Sequence, residues 1–569
     1  MKSKVSKIFF LIGFAAFAVS CENDYEALPV EQYTIDFVFS ESDSLGVNAK
    51  AYLNTVYAQL QNRHNGVGGD YLDAATDDAI SSSPTTTDVF RLATGAYNAA
   101  SQVSSDMGWA NYYHGIRTAS TFINNIGVVP LKEKLPNGVS LVDVWKSEAR
   151  FIRALHYFEL VKRYGGIPLV GDGVRNLGEN MELPRNTFEE CVNYIVSECD
   201  AIKDSLRFYP IDKPEINGHV VTKEAAMALK ARVLLYAASP LFNGGNIDPA
   251  NPLTGYTQFS ADRWRLAADA AKDFIDNNTY LALEPNFKEV FTKENNSEVI
   301  FFRSGGENTN IEKNNGPVGF SGNNESFGRT SPTQNLVDAF PMINGKPITD
   351  PSYNPNDPYA NRDPRLNSTV LHNGSMWLNT TIETFEGGKQ KPGGTIQQTK
   401  TGYYLRKFMG DFESSSDYAS TPHDWVMFRY AEILLNYAEA ENEFAGPSED
   451  VYQVLKDIRQ RAGILSGDDN MYGLPFGMTQ QEMRKMIQNE RRIELAFEEH
   501  RFWDIRRWKL AEEIFSAPIH GQVILKSGSS LNYNKVPLLE INFEEKRYLY
   551  PIVFSEVIKN SNMAQNPQW

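Results

Sequence analysis

Cysteine is almost missing from this chain: 3 residues in 569. Cys191 and Cys199 lie eight residues apart in a predicted helix, about 12 Å along its axis. That exceeds the roughly 7 Å Cα separation a disulfide tolerates, so they cannot pair with each other. A disulfide framework and a cysteine-based metal site are therefore excluded. Histidine is also sparse, with 8 residues. No His-Glu-x-x-His, Gly-x-Ser-x-Gly or P-loop pattern occurs, which removes the commonest metalloprotease, hydrolase and nucleotide-binding signatures. Positive charge is in deficit, 55 Lys and Arg against 71 Asp and Glu. An acidic surface argues against nucleic acid or anionic lipid headgroups as partners and is compatible with neutral ligands such as sugars.

Long apolar runs are lacking too. The longest, Ile8 to Phe17, is about half of the roughly 20 residues needed to span a bilayer. Lys2, Lys4 and Lys7 precede it and Ala18-Val19-Ser20-Cys21 follow it. Charge, a short apolar core and small residues make a secretory signal. Small residues running into Cys21 predict lipoprotein processing, with residues 1–20 removed and the cysteine acylated. Several acyl chains bury far more CH₂ groups than the single chain that binds a membrane only marginally. Glu22, Asn23 and Asp24 look like a surface-export signal, and residues 21–45 read as an anchor and tether. Loss of Lys2, Lys4 and Lys7 leaves 52 basic residues against 71 acidic ones and a formal charge of −19 over 549 residues. That length suffices for one large domain or two to three smaller ones.

What is present is mainly helical periodicity. Phe151, Leu155, Phe158 and Val161 recur at steps of four and three, with Gly165, Gly166 and Pro168 as a stop. Thr187 with Glu190, and Thr479 with Glu482, have capping-box spacing. Ala-rich stretches at 223–238, around Trp264, Ala267, Ala268 and Ala271, and at 431–440 repeat a helical-pair rhythm like that of tetratricopeptides. One helical stretch is expected from Gln480 to about Ile514. No strict period holds, so the pattern predicts helical pairs with insertions rather than a regular solenoid. Residues 64–112 and 302–425 are dense in Gly, Asn, Pro, Ser and Thr. Loops this long are functional or disordered, and their large aromatic residues argue for order.

The densest charged segment runs from Asn489 to Trp508. Glu490, Glu494 and Glu498 stack at i, i+4, i+8, which suits either a carboxylate-rich site or an ion-paired structural helix. No second carboxylate–histidine helix completes a di-metal cage. Arg491, Arg492, Arg501, Arg506 and Arg507 supply counter-charge within the same run, and the structural reading is preferred. Asp350, Asn354, Asn356 and Asp357 offer oxygen ligands for a structural Ca²⁺, without EF-hand spacing. No other cofactor or metal is expected.

Six ordered blocks carry a family resemblance. They are Arg153-Ala154-Leu155 through Arg163-Tyr164-Gly165-Gly166-Ile167-Pro168; Ala228-Leu229-Lys230-Ala231-Arg232 through Pro240-Leu241-Phe242; Asn361-Arg362-Asp363-Pro364-Arg365-Leu366; Arg429-Tyr430-Ala431-Glu432 through Ala440; Glu490 to Trp508; and Tyr550-Pro551-Ile552 with Gln565-Asn566-Pro567. With the lipoprotein signal, they resemble the SusD/RagB family of outer-membrane nutrient-uptake lipoproteins. The resemblance implies a mainly α fold in which four tetratricopeptide-like helix pairs support a variable, loop-rich ligand face. The body spans 46–569, with an N-terminal scaffold to about residue 300, the insertion at 302–425 and a C-terminal scaffold from 426. It also implies a non-catalytic role: capture of a nutrient, usually a glycan or oligosaccharide, as the lid of a SusC-like TonB-dependent transporter. The alternatives are an oligopeptide-capturing lid of the RagB type, a surface glycoside hydrolase, and a scaffold without a ligand. The family's ligand region points to Trp109, with Asp78, Arg91 and Asn111 as polar neighbours, and to Phe320, Tyr353 and Trp377 in the central insertion.

Overall fold

The computed structural model describes residues 34–175, 178–211, 218–320, 325–394 and 396–569. Residues 1–33, and with them the leader and Cys21, lie outside the described residues. Among the described residues, nine α-helices of twelve residues or more form the scaffold: α1 (Val47–Ala58), α2 (Trp109–Asn125), α3 (Leu141–Tyr164), α4 (Phe188–Ile202), α5 (Lys223–Ala238), α6 (Asp262–Asn277), α7 (Tyr430–Ala445), α8 (Glu449–Ala462) and α9 (Gln480–Glu494). From α1 to α7 each helix packs on the next, and α8 and α9 both pack on α7. Nearest-neighbour packing of this kind belongs to helical-repeat arrays.

Local chemistry sets the boundaries. Ser140 caps α3 by accepting from the Asp143 backbone N–H, and Gly165, at φ 78°, ends it. Only glycine adopts that conformation without strain. Its neighbour Gly166 sits so close to the Asn186 carbonyl that an added Cβ would stand 2.1 Å from that oxygen. Both expected capping boxes form, at Thr187/Glu190 and Thr479/Glu482. In α5 the small residues Ala225, Ala226, Ala228 and Ala231 are buried, which lets α4 and α6 approach closely.

Two expectations are corrected. The helix from Gln480 does not run on to Ile514: α9 stops at Glu494, and short helices follow at His500–Arg507 and Ala511–Phe515. Phe497 and Glu499 adopt positive φ of 63° and 64° at the break. Asp73 accepts the Phe497 backbone N–H, and Glu499 pairs with Arg63, so tertiary bonds overrule helical propensity there. The tether ends before residue 45. Thr34 caps a short helix, Ile35–Val38, and Phe39 is buried against Tyr52 and Phe122.

The central insertion leaves and returns through one antiparallel pair, Val299–Arg303 against Trp425–Arg429. A second pair, Ala79–Ser81 against Thr330–Pro332, joins it to the N-terminal insertion. The hairpin Ile519–Ser527/Ser530–Leu539 packs beside the insertion, with Gln522 N–H donating to the Thr401 carbonyl. Among the described residues no helix is long and apolar enough to cross a membrane. Cys191 and Cys199 are free, buried thiols, and burial pushes the Cys191 thiol up to about 12.

Candidate functional site

Glu490, Glu494 and Glu498 are buried and saturated with cations. Arg365 bonds Glu490 at 2.7 Å, Glu494 at 2.8 Å and Asp363 at 2.7 Å. Arg459 holds Glu490 (2.8 Å), and Lys407 holds Glu498 (2.7 Å). Arg429 bonds Glu298, Glu494 and Glu498, while Arg461 bonds Glu298 and Glu494. Five acids thus face five bases. Burial alone would raise the carboxyls, but the surrounding guanidinium groups outweigh it and hold all three below the ordinary carboxylate range. Neutral, multiply bonded clusters are how a folded chain tolerates buried charge. No member of this set is free to act as an acid–base pair, which supports the structural reading of the segment.

The counter-charges are not those expected. Arg491 and Arg507 bond Asp504 at 2.8 Å each, and Arg507 also bonds Glu439. Arg492 and Arg501 bond Asp77 at 2.7 and 2.9 Å. Arg506 lies 3.4 Å from the Phe502 ring centroid. The run's arginines therefore bind Asp504 within the run and Asp77 and Glu439 outside it, and its glutamates are neutralised from elsewhere.

Several expected ligand contacts become structural. Trp109 is 7% exposed, edge-on to Tyr164 and tilted against Tyr113. Trp377 is 3% exposed, and its indole N–H donates to the Tyr418 hydroxyl at 3.3 Å. Both rings are core anchors with no face left for a ligand. Asp78 is fully buried in the ion pair with Arg492. Arg91 donates to the carbonyls of Ala96 and Ser101, so it pins its own loop. Asn111 is exposed on the first turn of α2, and Phe320 and Tyr353 are half-buried, with Arg362 stacked on Tyr353. Among the described residues no group of three or more His, Cys, Asp or Glu is disposed to hold a metal. Asp350 accepts the Ser352 N–H at 3.0 Å.

The two insertions nevertheless meet in one surface. The Ser82 hydroxyl donates to the Phe327 carbonyl, and Gln397 donates from its amide to Ser82 and Ser83 at 3.1 and 3.0 Å. Lys400 donates to the Ser83 carbonyl at 3.4 Å. Beneath this rim, Arg329 bonds Asp70, and Asn315 donates to Asn65. Phe327 is 44% exposed, and Ile396 beside Gln397 is exposed as well. An exposed aromatic residue in a rim that also carries amide, hydroxyl and ammonium groups matches the mixture that recognises a polar ligand with weakly apolar faces. Sequence reasoning missed Phe327 because exposure is a tertiary property. The available signal was its place within the aromatic-bearing insertion.

A helical scaffold that carries a joined, loop-built face defines a class of binding protein, and comparison with known proteins identifies the family. A model described as "SusD family" matches residues 297–569, and one described as "Starch-binding associating with outer membrane" matches residues 36–235. The chain belongs to the SusD-like family, and it associates with the outer membrane as that family does. It is 26% identical over 470 residues to SusD-like protein P2 of Formosa agariphila, spanning 80% of this chain and 79% of that protein. A SusD-like protein structure from Bacteroides fragilis superposes with a TM-score of 0.74 at 25% identity, covering 95% of this chain and all of that one. A SusD-like carbohydrate-binding protein from the same species gives 0.73 at 22% identity, over 93% of this chain and all of that one. A laminarin-binding SusD-like protein gives 0.61 at 19% identity, over 92% and 99%.

Proposed function

We propose that the protein is a non-catalytic, glycan-capturing lipoprotein of the bacterial surface, anchored through Cys21 and acting as the lid of a SusC-like TonB-dependent transporter. The observation that carries this reading is the rim where the two insertions join. There the exposed Phe327, whose backbone carbonyl accepts from Ser82, joins the segment that Gln397 and Lys400 bond through Ser82 and Ser83, on a family scaffold. The carbohydrate-binding and laminarin-binding descriptions of two structural relatives support a glycan as the ligand class. A rigid ring on a sugar's C–H face loses little entropy, and adjacent donors select hydroxyl geometry. The ion-paired state of Glu490, Glu494 and Glu498 supports the absence of catalysis by that segment.

Calorimetry of the mature chain against a polysaccharide panel and a peptide panel tests the reading. Binding to at least one polysaccharide without release of new reducing ends is expected. Binding to peptides and to no glycan would replace it with an oligopeptide-capturing lid, and reducing-end release would make the protein a hydrolase.

A further inference from the structure

Away from the rim, a cleft of about 300 Å³ opens between α1, the strand Val299–Arg303 and the segment around His219. Lys50, Arg303 and His219 line it together with Asn54 and Tyr57, and among the described residues no acidic one lines it. This is unusual on a chain with a formal charge of −16. Neither Lys50 nor Arg303 has a carboxylate within ion-pairing distance among the described residues. The Arg303 side chain donates to the carbonyls of Leu60 (3.1 Å) and Ser304 (2.7 Å), which fixes the guanidinium at the cleft wall. The Lys50 ammonium lies 5.3 Å from the Trp145 ring centroid. The acid behind Lys50 is Glu148, already committed to Arg207 at 2.6 Å and to the Tyr57 hydroxyl at 2.9 Å. Among the described residues the local balance is therefore positive.

Phe302, half-buried, is shared between this cleft and a neighbouring one, where Tyr280 stacks on Tyr209 at 5.5 Å and stays 44% exposed. The neighbouring cleft also holds Asn295 and Asn296, with Glu294 and Asp424 as its acids. Aromatic platforms thus adjoin two cations that have no carboxylate partner.

We propose that the Lys50–Arg303 cleft is a second ligand site, which takes the anionic substituent of an acidic saccharide, a carboxylate or a sulfate ester. A guanidinium presents paired donors that match such oxyanions, and a partly desolvated ammonium beside it strengthens the attraction. The inference rests on the glycan reading for its ligand class but uses residues separate from the rim.

The test is titration of the mature chain with polygalacturonate, a sulfated galactan and a neutral β-glucan, at low and high NaCl. The Lys50→Met/Arg303→Gln double variant and Asn54→Glu are titrated alongside. Asn54 is exposed, so that substitution adds a negative charge to the cleft without removing packing. At least one polyanion is expected to bind, tenfold or more weakly in either variant and more weakly in high salt, while neutral-glucan binding stays unchanged. Binding of the uronate alone assigns a carboxylate, and of the galactan alone a sulfate. Unchanged polyanion affinity in Asn54→Glu overturns the proposal, as does failure of both polyanions. If the neutral glucan still binds in that case, the proposal falls alone. If nothing binds, the glycan reading falls with it.

Discussion

At the residue scale, Glu494 sits where three guanidinium groups converge, from Arg365, Arg429 and Arg461. Removing one member of a buried, balanced set leaves an uncompensated charge, which costs about 3–5 kcal/mol. Glu494→Gln is therefore expected to lower the melting temperature by several degrees in calorimetry, and an unchanged transition would contradict the network's role. The pH dependence has a definite sign. Glu490, Glu494 and Glu498 are depressed in the folded state, so their stabilisation is present above the ordinary carboxylate range and is lost as pH falls below it. Asp73 acts oppositely. Burial, with Asp78 and Glu499 nearby, pushes it up to about 8. It ionises in the unfolded chain first, so it costs stability as pH rises from about 4 to about 8. Asp73→Asn keeps an acceptor for the Phe497 N–H, and it is expected to raise the melting temperature more at pH 8 than at pH 4. Equal shifts at both would refute the assignment.

At the element scale, the capping boxes and the stop at Gly165 were legible in the sequence because caps are local: each needs only residues three or four apart. Thr479→Ala, which removes the acceptor for the Glu482 N–H, is expected to destabilise by about 1 kcal/mol in chemical denaturation. The break after Glu494 was not legible. Its cause lies in Asp73 and Arg63, more than four hundred residues away in the chain, which bond Phe497 and Glu499. The same distance hid the partners of the glutamates. Periodicity placed Glu490 and Glu494 on one face, but the cations that neutralise them come from Arg365, Arg429, Arg459 and Arg461. Trp109 and Trp377 illustrate the converse. A large aromatic in a loop is an anchor or a platform, and only packing decides which.

At the scale of the whole molecule, the two insertions act as one unit because the pair Ala79–Ser81/Thr330–Pro332 and the Ser82–Gln397 bonds tie them together on a scaffold closed by Val299–Arg303 and Trp425–Arg429. The family blocks made the scaffold readable and pointed to both insertions. They did not identify the exposed ring, because loop conformation depends on contacts between the insertions. In the proposed mechanism the lipid at Cys21 keeps this body beside its transporter. Cys21→Ala is expected to leave the isolated protein folded and ligand-competent while abolishing surface retention, as scored by whole-cell protease accessibility. Retention of the variant at the surface would contradict anchoring.

The central claim is that a glycan is held where the two insertions meet. Hydrogen–deuterium exchange of the mature chain, with and without a saturating polysaccharide that it binds, tests this most directly. Protection is expected in the segments around Ser82, Phe327 and Gln397, and it should vanish in Phe327→Ala under the same conditions. Protection confined to the scaffold helices, or unchanged in Phe327→Ala, would contradict the account.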